Sequence, residues 1–388
     1  MADFGRTVRG KLKSPRTPRT PKGGTPGRYN PYKIPRREIF RVYDRIYATI
    51  YGQCVGDAIG LLTDGLTREE SKKKYKEVLS KMELVHKKIC PDNHRNRWRA
   101  GDWTDKTDQA VLIFHNLLHN FGEVETVDLA KRLMEWSDQG FPDLGDKGCE
   151  GLCSQVRAVC AHPQFSERPE NAAEIVWRDS GRLQATNTAV ARTSVLGIHQ
   201  YNHVGKVIKN SLDVCRITHP DPRCQASCVA VSAAISMMLT REEKYVKKSG
   251  SYDIETVIDD AFTYASRCMI GLYAEIKELK HHMYCSSLKE LKLDEPGKSN
   301  HTFKALGAGF WALRQKDFRM AIQSIILEGG DAGANAAVAG ALLGCKVGLD
   351  ELPSSWVERL LHRLWLDDII DKYLDLMERK KRTKETTL

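Results

Sequence analysis

Residues Ala334 to Cys345 read Ala-Asn-Ala-Ala-Val-Ala-Gly-Ala-Leu-Leu-Gly-Cys, and this run limits the possible folds more than any other stretch of the chain. It is built almost wholly from Ala, Gly, Val and Leu, and has no polar face to turn toward water. A helix of this kind is packed on all sides, and its small residues let neighbouring backbones come close. Other helices must therefore surround it. Ala110, Val111, Phe114, Leu117, Leu118 and Phe121 follow the i, i+3, i+4, i+7 spacing of an amphipathic helix, as do Cys224, Cys228, Val231, Ile235, Met238 and Leu239. A further helix is expected over Trp356–Met377. Alternating runs of strand length are scarce and no internal repeat is detectable, so the body reads as an all-α bundle of many segments.

With 388 residues, 41% of them hydrophobic, the chain is long enough for a large core. Its formal charge of +10 is unevenly placed. Residues 1–38 hold eleven basic side chains against Asp3 and Glu38, a net +9, which leaves about +1 for the other 350 residues. That argues against a phosphate-binding surface over the whole body, so nucleic acid is not expected as a partner of the folded part. Residues 1–37 are rich in Pro, Gly, Thr and basic residues and nearly free of large apolar ones, which is the composition of a disordered tail. They contain Ser14-Pro15, Thr17-Pro18, Thr20-Pro21 and Thr25-Pro26, sites suited to a proline-directed kinase. Residues 38–378 are expected to form one domain, and 379–388 a basic, polar tail opening with Arg379-Lys380-Lys381-Arg382.

Eleven scattered cysteines show no CxxC pair, and no run of 18 apolar residues occurs. Free thiols in a reducing compartment, the cytoplasm, the nucleus or both, fit this pattern, and no membrane partner is expected. His219 with Cys224 and Cys228 lacks an evident fourth ligand for zinc.

Four segments combine glycine with acidic or hydroxyl residues beside expected helix starts. They are Gly52–Gly60 with Asp57 and the following Asp64; Gly101–Gln109 with Thr104, Asp105 and Asp108; Thr186–Thr193, running into Gly197; and Glu328–Ala337 with Gly329, Gly330 and Asp331. Carboxylate and hydroxyl oxygens are what hard divalent cations select. Each segment also has an ordinary reading: Thr104 and Asp331 suit helix N-caps, and Asp105 and Asp108 an acidic first turn.

Taken together and in this order, the segments resemble the motifs of the ADP-ribosylglycohydrolase family, over about Tyr51 to Trp356. Asn187 to Arg192, Thr218-His219-Pro220-Asp221-Pro222 and Leu306 to Leu313 resemble the stretches that lie between those motifs. The resemblance implies a compact orthogonal multi-helix fold around a two-Mg²⁺ centre in a cleft, and hydrolysis of the bond between ADP-ribose and its acceptor. It implies catalytic roles for Asp64 and Asp57, substrate contacts from Asn187, Arg192, His219 and Gly330, and metal ligation by Thr104, Asp105 and Asp331. Asp64 stands where the family commonly has glutamate. Three further ligand positions are occupied by Lys106, Gly333 and Ala334, which offer no side-chain oxygen, and Lys106 brings a positive charge where a cation would sit.

The functional expectation is a relative that keeps a cleft for ADP-ribose or an ADP-ribosylated molecule, with magnesium binding and hydrolysis weakened or lost. Two alternatives stand beside it. One is an active hydrolase using one metal or none, with Asp57, Asp64, Asp105 and Asp331 in the working roles. The other is a structural, crystallin-like protein on the same fold.

Overall fold

The computed structural model describes residues 36–75, 77, 82–85 and 91–386. The four Ser/Thr-Pro sites of the tail lie outside the described residues. Six helices organise the molecule: α1 (Arg36–Gly60), α2 (Asp105–His119), α3 (Pro222–Thr240), α4 (Thr302–Leu313), α5 (Ala332–Val347) and α6 (Arg363–Thr386). Further helices connect them. Among the described residues there is no strand, only two isolated bridges, Thr186 with His301 and Val246 with Tyr252. The all-α expectation holds.

Helix α5 is the centre, buried from Ala332 to Cys345 and touched by α1, α2, α3 and α4. Its closest neighbour is α1, which runs antiparallel to it. Gly52 and Gly56 present bare backbone to Gly340 and Ala336. A Cβ on Gly340 would run into the carbonyl oxygen of Gly52, and one on Gly344 into that of Ala48. Glycine is required here for contact between the two backbones rather than for a turn. This contact brings the end of α1, with Asp57 and Asp64, to the start of α5, with Asp331 and Gly333.

Helix α3 is apolar and long enough by composition to cross a membrane, but 83% of its apolar window is buried inside the fold, which makes it a core helix. Two sequence expectations change. Helix α2 ends at His119, and Phe121, expected on its apolar face, has a positive φ of 52° and is 78% exposed. The carboxy-terminal helix starts at Arg363 and continues through the expected tail to Thr386. That stretch contains no glycine or proline to stop a helix, and Lys380 Nζ pairs with Glu123 at 2.6 Å.

Candidate functional site

The four sequence segments converge on one cleft of about 360 Å³, whose lining includes Asp64, Lys106, Asn187 and Asp331. Lys106 Nζ lies 2.8 Å from Asp105 Oδ1, with the Lys106 side chain 12% exposed and that of Asp105 only 1%. Burial disfavours the ammonium, but the carboxylates of Asp105, Asp331 and Asp64 outweigh it and hold the Lys106 pKa well above its ordinary value. Burial pushes the Asp105 carboxyl up to about 6, even with the neighbouring ammonium acting to lower it. Asp331 caps α5, with its Oδ1 accepting from the Ala334 N–H at 3.4 Å, and its Oδ2 accepts from Asn187 Nδ2 at 3.0 Å. Position 333 faces the acids: a Cβ on Gly333 would lie 3.4 Å from Asp57 Oδ1 and 4.0 Å from Asp64 Oδ1. Among the described residues no group of three or more His, Cys, Asp and Glu is arranged to hold a metal ion.

Asp57 is fully buried and does not line the cleft. Its carboxylate accepts from the backbone N–H groups of Thr104 (2.9 Å) and Thr107 (3.1 Å) and from both threonine hydroxyls, at 2.6 and 2.8 Å. The cap of α2 is thus supplied by α1, because the Thr104 hydroxyl turns to Asp57 instead of to its own helix. Three of these four bonds fall on Oδ2 and one on Oδ1, so the structure ties Asp57 to the start of α2, behind the cleft lining rather than in it.

Asp64 reaches the cleft, and its partner there is His94, which the sequence reading missed. His94 Nε2 lies 2.8 Å from Asp64 Oδ2, and the Gly333 N–H donates to Asp64 Oδ1 at 3.4 Å. Arg97 Nη2 donates to His94 Nδ1 at 2.5 Å, which leaves the imidazole proton on Nε2, directed at Asp64. Burial raises the Asp64 pKa, but the hydrogen bond from His94 and the charge of Lys106 prevail and hold it below the usual carboxylate value. His94 also meets the Trp98 ring edge-on at 5.1 Å.

Arg192 and His219 lie behind the cleft wall, not in it. Arg192 is buried and donates to Gln109 Oε1 (2.7 Å), Val214 O (3.0 Å) and Thr218 Oγ1 (2.7 Å). Gln109 in turn donates to Asp105 Oδ2 at 3.2 Å. His219 is held between Thr218 Oγ1 and Thr186 Oγ1, 2.8 Å on each side, and burial with the nearby Arg192 charge keeps it neutral. Since Thr186 donates to Gln155 Oε1, His219 must donate from Nε2 and accept at Nδ1. These residues form one buried network from Asp105 to Thr186 and fix the wall residues from behind. Gly330 also lies outside the lining: with φ of 69°, it packs against the backbone of Leu293 and exchanges backbone hydrogen bonds with Gly65 and Leu66.

A second cavity of about 530 Å³ adjoins the first, and Thr186 and Asn300 line both. The wall between them is a short ladder in which Asn187 N donates to Asn300 O and Thr302 N to Ala185 O. Neutral His282 and His301, both pushed down to about 4 chiefly by burial, line this second cavity with Gln184 and Arg223.

A helical fold whose first and last motifs close a polar double cavity defines the class of protein. The chain belongs to the ADP-ribosylglycohydrolase family, whose model matches residues 40–383. An uncharacterized protein of Archaeoglobus fulgidus is 24% identical over 328 residues, 82% of this chain and 92% of that protein. The ADP-ribosyl-[dinitrogen reductase] glycohydrolase of Rhodospirillum rubrum is 21% identical over 321 residues, 82% of this chain and 91% of the enzyme. A solved ADP-ribosylglycohydrolase-related protein complex shares the fold, with a TM-score of 0.58 at 21% identity over 87% of this chain and 98% of the other.

Proposed function

We propose that the chain binds ADP-ribose or an ADP-ribosylated molecule across the two adjoining cavities, and that the Lys106 ammonium stands in for a catalytic metal, leaving metal-dependent hydrolysis weakened or lost. The family supplies the ligand class. The observation that carries the rest is Lys106 Nζ at 2.8 Å from the buried Asp105 carboxylate. The donors present do not fit two magnesium ions. Glycine and alanine at 333 and 334 offer no side-chain oxygen, the Thr104 hydroxyl is committed to Asp57, and an ammonium already sits among the acids. An ammonium can hydrogen-bond to ribose hydroxyls, but it cannot polarise a leaving group or activate water as a Lewis acid does.

In this reading the terminal ribose lies against Asp64, Lys106 and Asp331, and the adenosine diphosphate portion continues past Thr186 and Asn300 into the second cavity. A second reading, slow turnover without metal, draws on Asp64. It is held ionised and oriented by His94, which is the state a general base needs.

The test is calorimetric titration of ADP-ribose into the wild type and the K106D/G333D/A334T triple variant, each with and without Mg²⁺, with hydrolysis of an ADP-ribosylated substrate followed in parallel. The wild type is expected to bind equally well with or without metal, and the variant to gain Mg²⁺ dependence and turnover. Metal-dependent turnover by the wild type would overturn the reading. Turnover without metal that Asp64→Asn abolishes would establish the second one.

A further inference from the structure

We infer that the outer rim of the Lys106 cleft is an anion site, and that the ADP-ribosyl compounds this chain takes carry a phosphate-like anion at the anomeric carbon of the terminal ribose. The inference rests on the reading above, which places that ribose against Asp64 and Lys106 and the adenosine end beyond Thr186. The acceptor then points toward the remaining lining: His94, Arg97, Trp98, Glu150 and Arg157.

Three observations give this rim its character. Arg157 stands on the helix Ser154–Cys160 and lines the cleft, and its guanidinium has no hydrogen-bond or ion-pair partner among the described residues. The Arg97 guanidinium is fixed, lying 4.8 Å over the Trp98 ring while its Nε donates to His94 O and one terminal nitrogen to His94 Nδ1. Its other terminal nitrogen is 3.7 Å from Glu150, whose side chain is 54% exposed. That leaves two guanidinium groups against one solvated carboxylate. Gly151 closes the rim: with φ of 80°, a Cβ there would sit 3.0 Å from the Trp98 ring and 3.2 Å from Asp105 Oδ1. The loop carrying Glu150 therefore passes directly over the acids.

Guanidinium groups with unused N–H donors bind oxyanions by charge-assisted hydrogen bonds. A cationic acceptor such as an arginine side chain would instead bring a like charge against Arg97 and Arg157. The same rim therefore selects for one acceptor class and against the other.

The test uses the full chain and three probes: ADP-ribose, ADP-ribose 1″-phosphate and ADP-ribosyl-arginine, titrated at low salt and at physiological salt. The 1″-phosphate is expected to bind about ten-fold more tightly than ADP-ribose at low salt, with a smaller ratio at physiological salt because the rim is exposed. ADP-ribosyl-arginine is expected to bind more weakly than ADP-ribose. In Arg157→Ala the phosphate-to-ADP-ribose ratio should fall close to one, and Arg157→Lys should restore part of it. Equal affinities for ADP-ribose and its 1″-phosphate, or a ratio that Arg157→Ala leaves intact, would overturn the inference while the proposed function stood. If no ADP-ribosyl compound binds, the proposed function fails, and inorganic phosphate decides the rim separately. Phosphate binding lost in Arg157→Ala supports the anion site, and no phosphate binding by the wild type overturns it.

Discussion

Replacing Lys106 by methionine removes one positive charge and keeps most of the apolar stem, so the cost falls on the acids it faces. Asp105 is almost completely buried and has the ammonium 2.8 Å away. Removing one partner of a buried ion pair costs about 3–5 kcal/mol, because the remaining charge stays unpaired. The Lys106 side chain retains slight exposure, so the lower end, about 3 kcal/mol at pH 8, is expected. For a chain of this size that is a fall in melting temperature of roughly 4 °C.

The pH dependence follows from Asp105. Its folded pKa is about 6, already above its ordinary 3.8, and losing Lys106 raises it further. A carboxyl with a raised folded pKa binds its proton more tightly in the native state. Its relative stabilisation is complete below the unfolded pKa and is lost as pH rises through the folded one. The deficit of the variant against wild type should therefore be largest at pH 8 and shrink toward pH 5. Differential scanning calorimetry of both proteins at pH 5, 6.5 and 8 measures it. A variant that melts with wild type at pH 8, or whose deficit grows on acidification, refutes the reasoning.

Three further outcomes are expected. Gly340→Val should separate α1 from α5 and cost about 3 kcal/mol or more, seen as loss of soluble, cooperatively melting protein, whereas Ala341→Gly should remain folded. Asp57→Ala removes the acceptor for four hydrogen bonds at the start of α2, and should lower stability by about 2 kcal/mol or more in urea unfolding. His219, neutral in the fold, ionises on unfolding at acid pH, so it contributes stability that is lost as pH falls below its ordinary value near 6.5. His219→Gln should flatten that part of the acid unfolding curve, as followed by circular dichroism.

The sequence made the centre of this fold legible because α5 has no polar face at all, and the period of α3 was equally clear. The α1 contact was less visible: Gly52 and Gly56 read as part of an acidic motif, while their work is to let two backbones touch. Phe121 fitted a helical period that the chain abandons at Asn120, since spacing alone does not show where a helix stops. At the site, the four motifs did converge, and the cationic side chain that stands at a ligand position, Lys106, lies against Asp105. Arg192, His219 and Gly330 carried motif signals yet lie behind the lining, because a network that holds a cleft in place leaves the same mark in a sequence as one that touches a ligand. His94 and Arg97 left no signal. They sit on a single 3-10 turn, Arg95–Arg97 with His94 at its cap, whose approach to Asp64 depends on a tertiary contact between residues 30 apart.

The central claim is that an ammonium has taken the place of a catalytic metal, and titration of Mg²⁺ into the full-length wild type, with and without saturating ADP-ribose, tests it most directly. The expected result is no saturable heat of Mg²⁺ binding in either titration, with the K106D/G333D/A334T variant gaining one. Tight, stoichiometric Mg²⁺ binding by the wild type would mean that Lys106 yields its place to a metal, and would contradict the account.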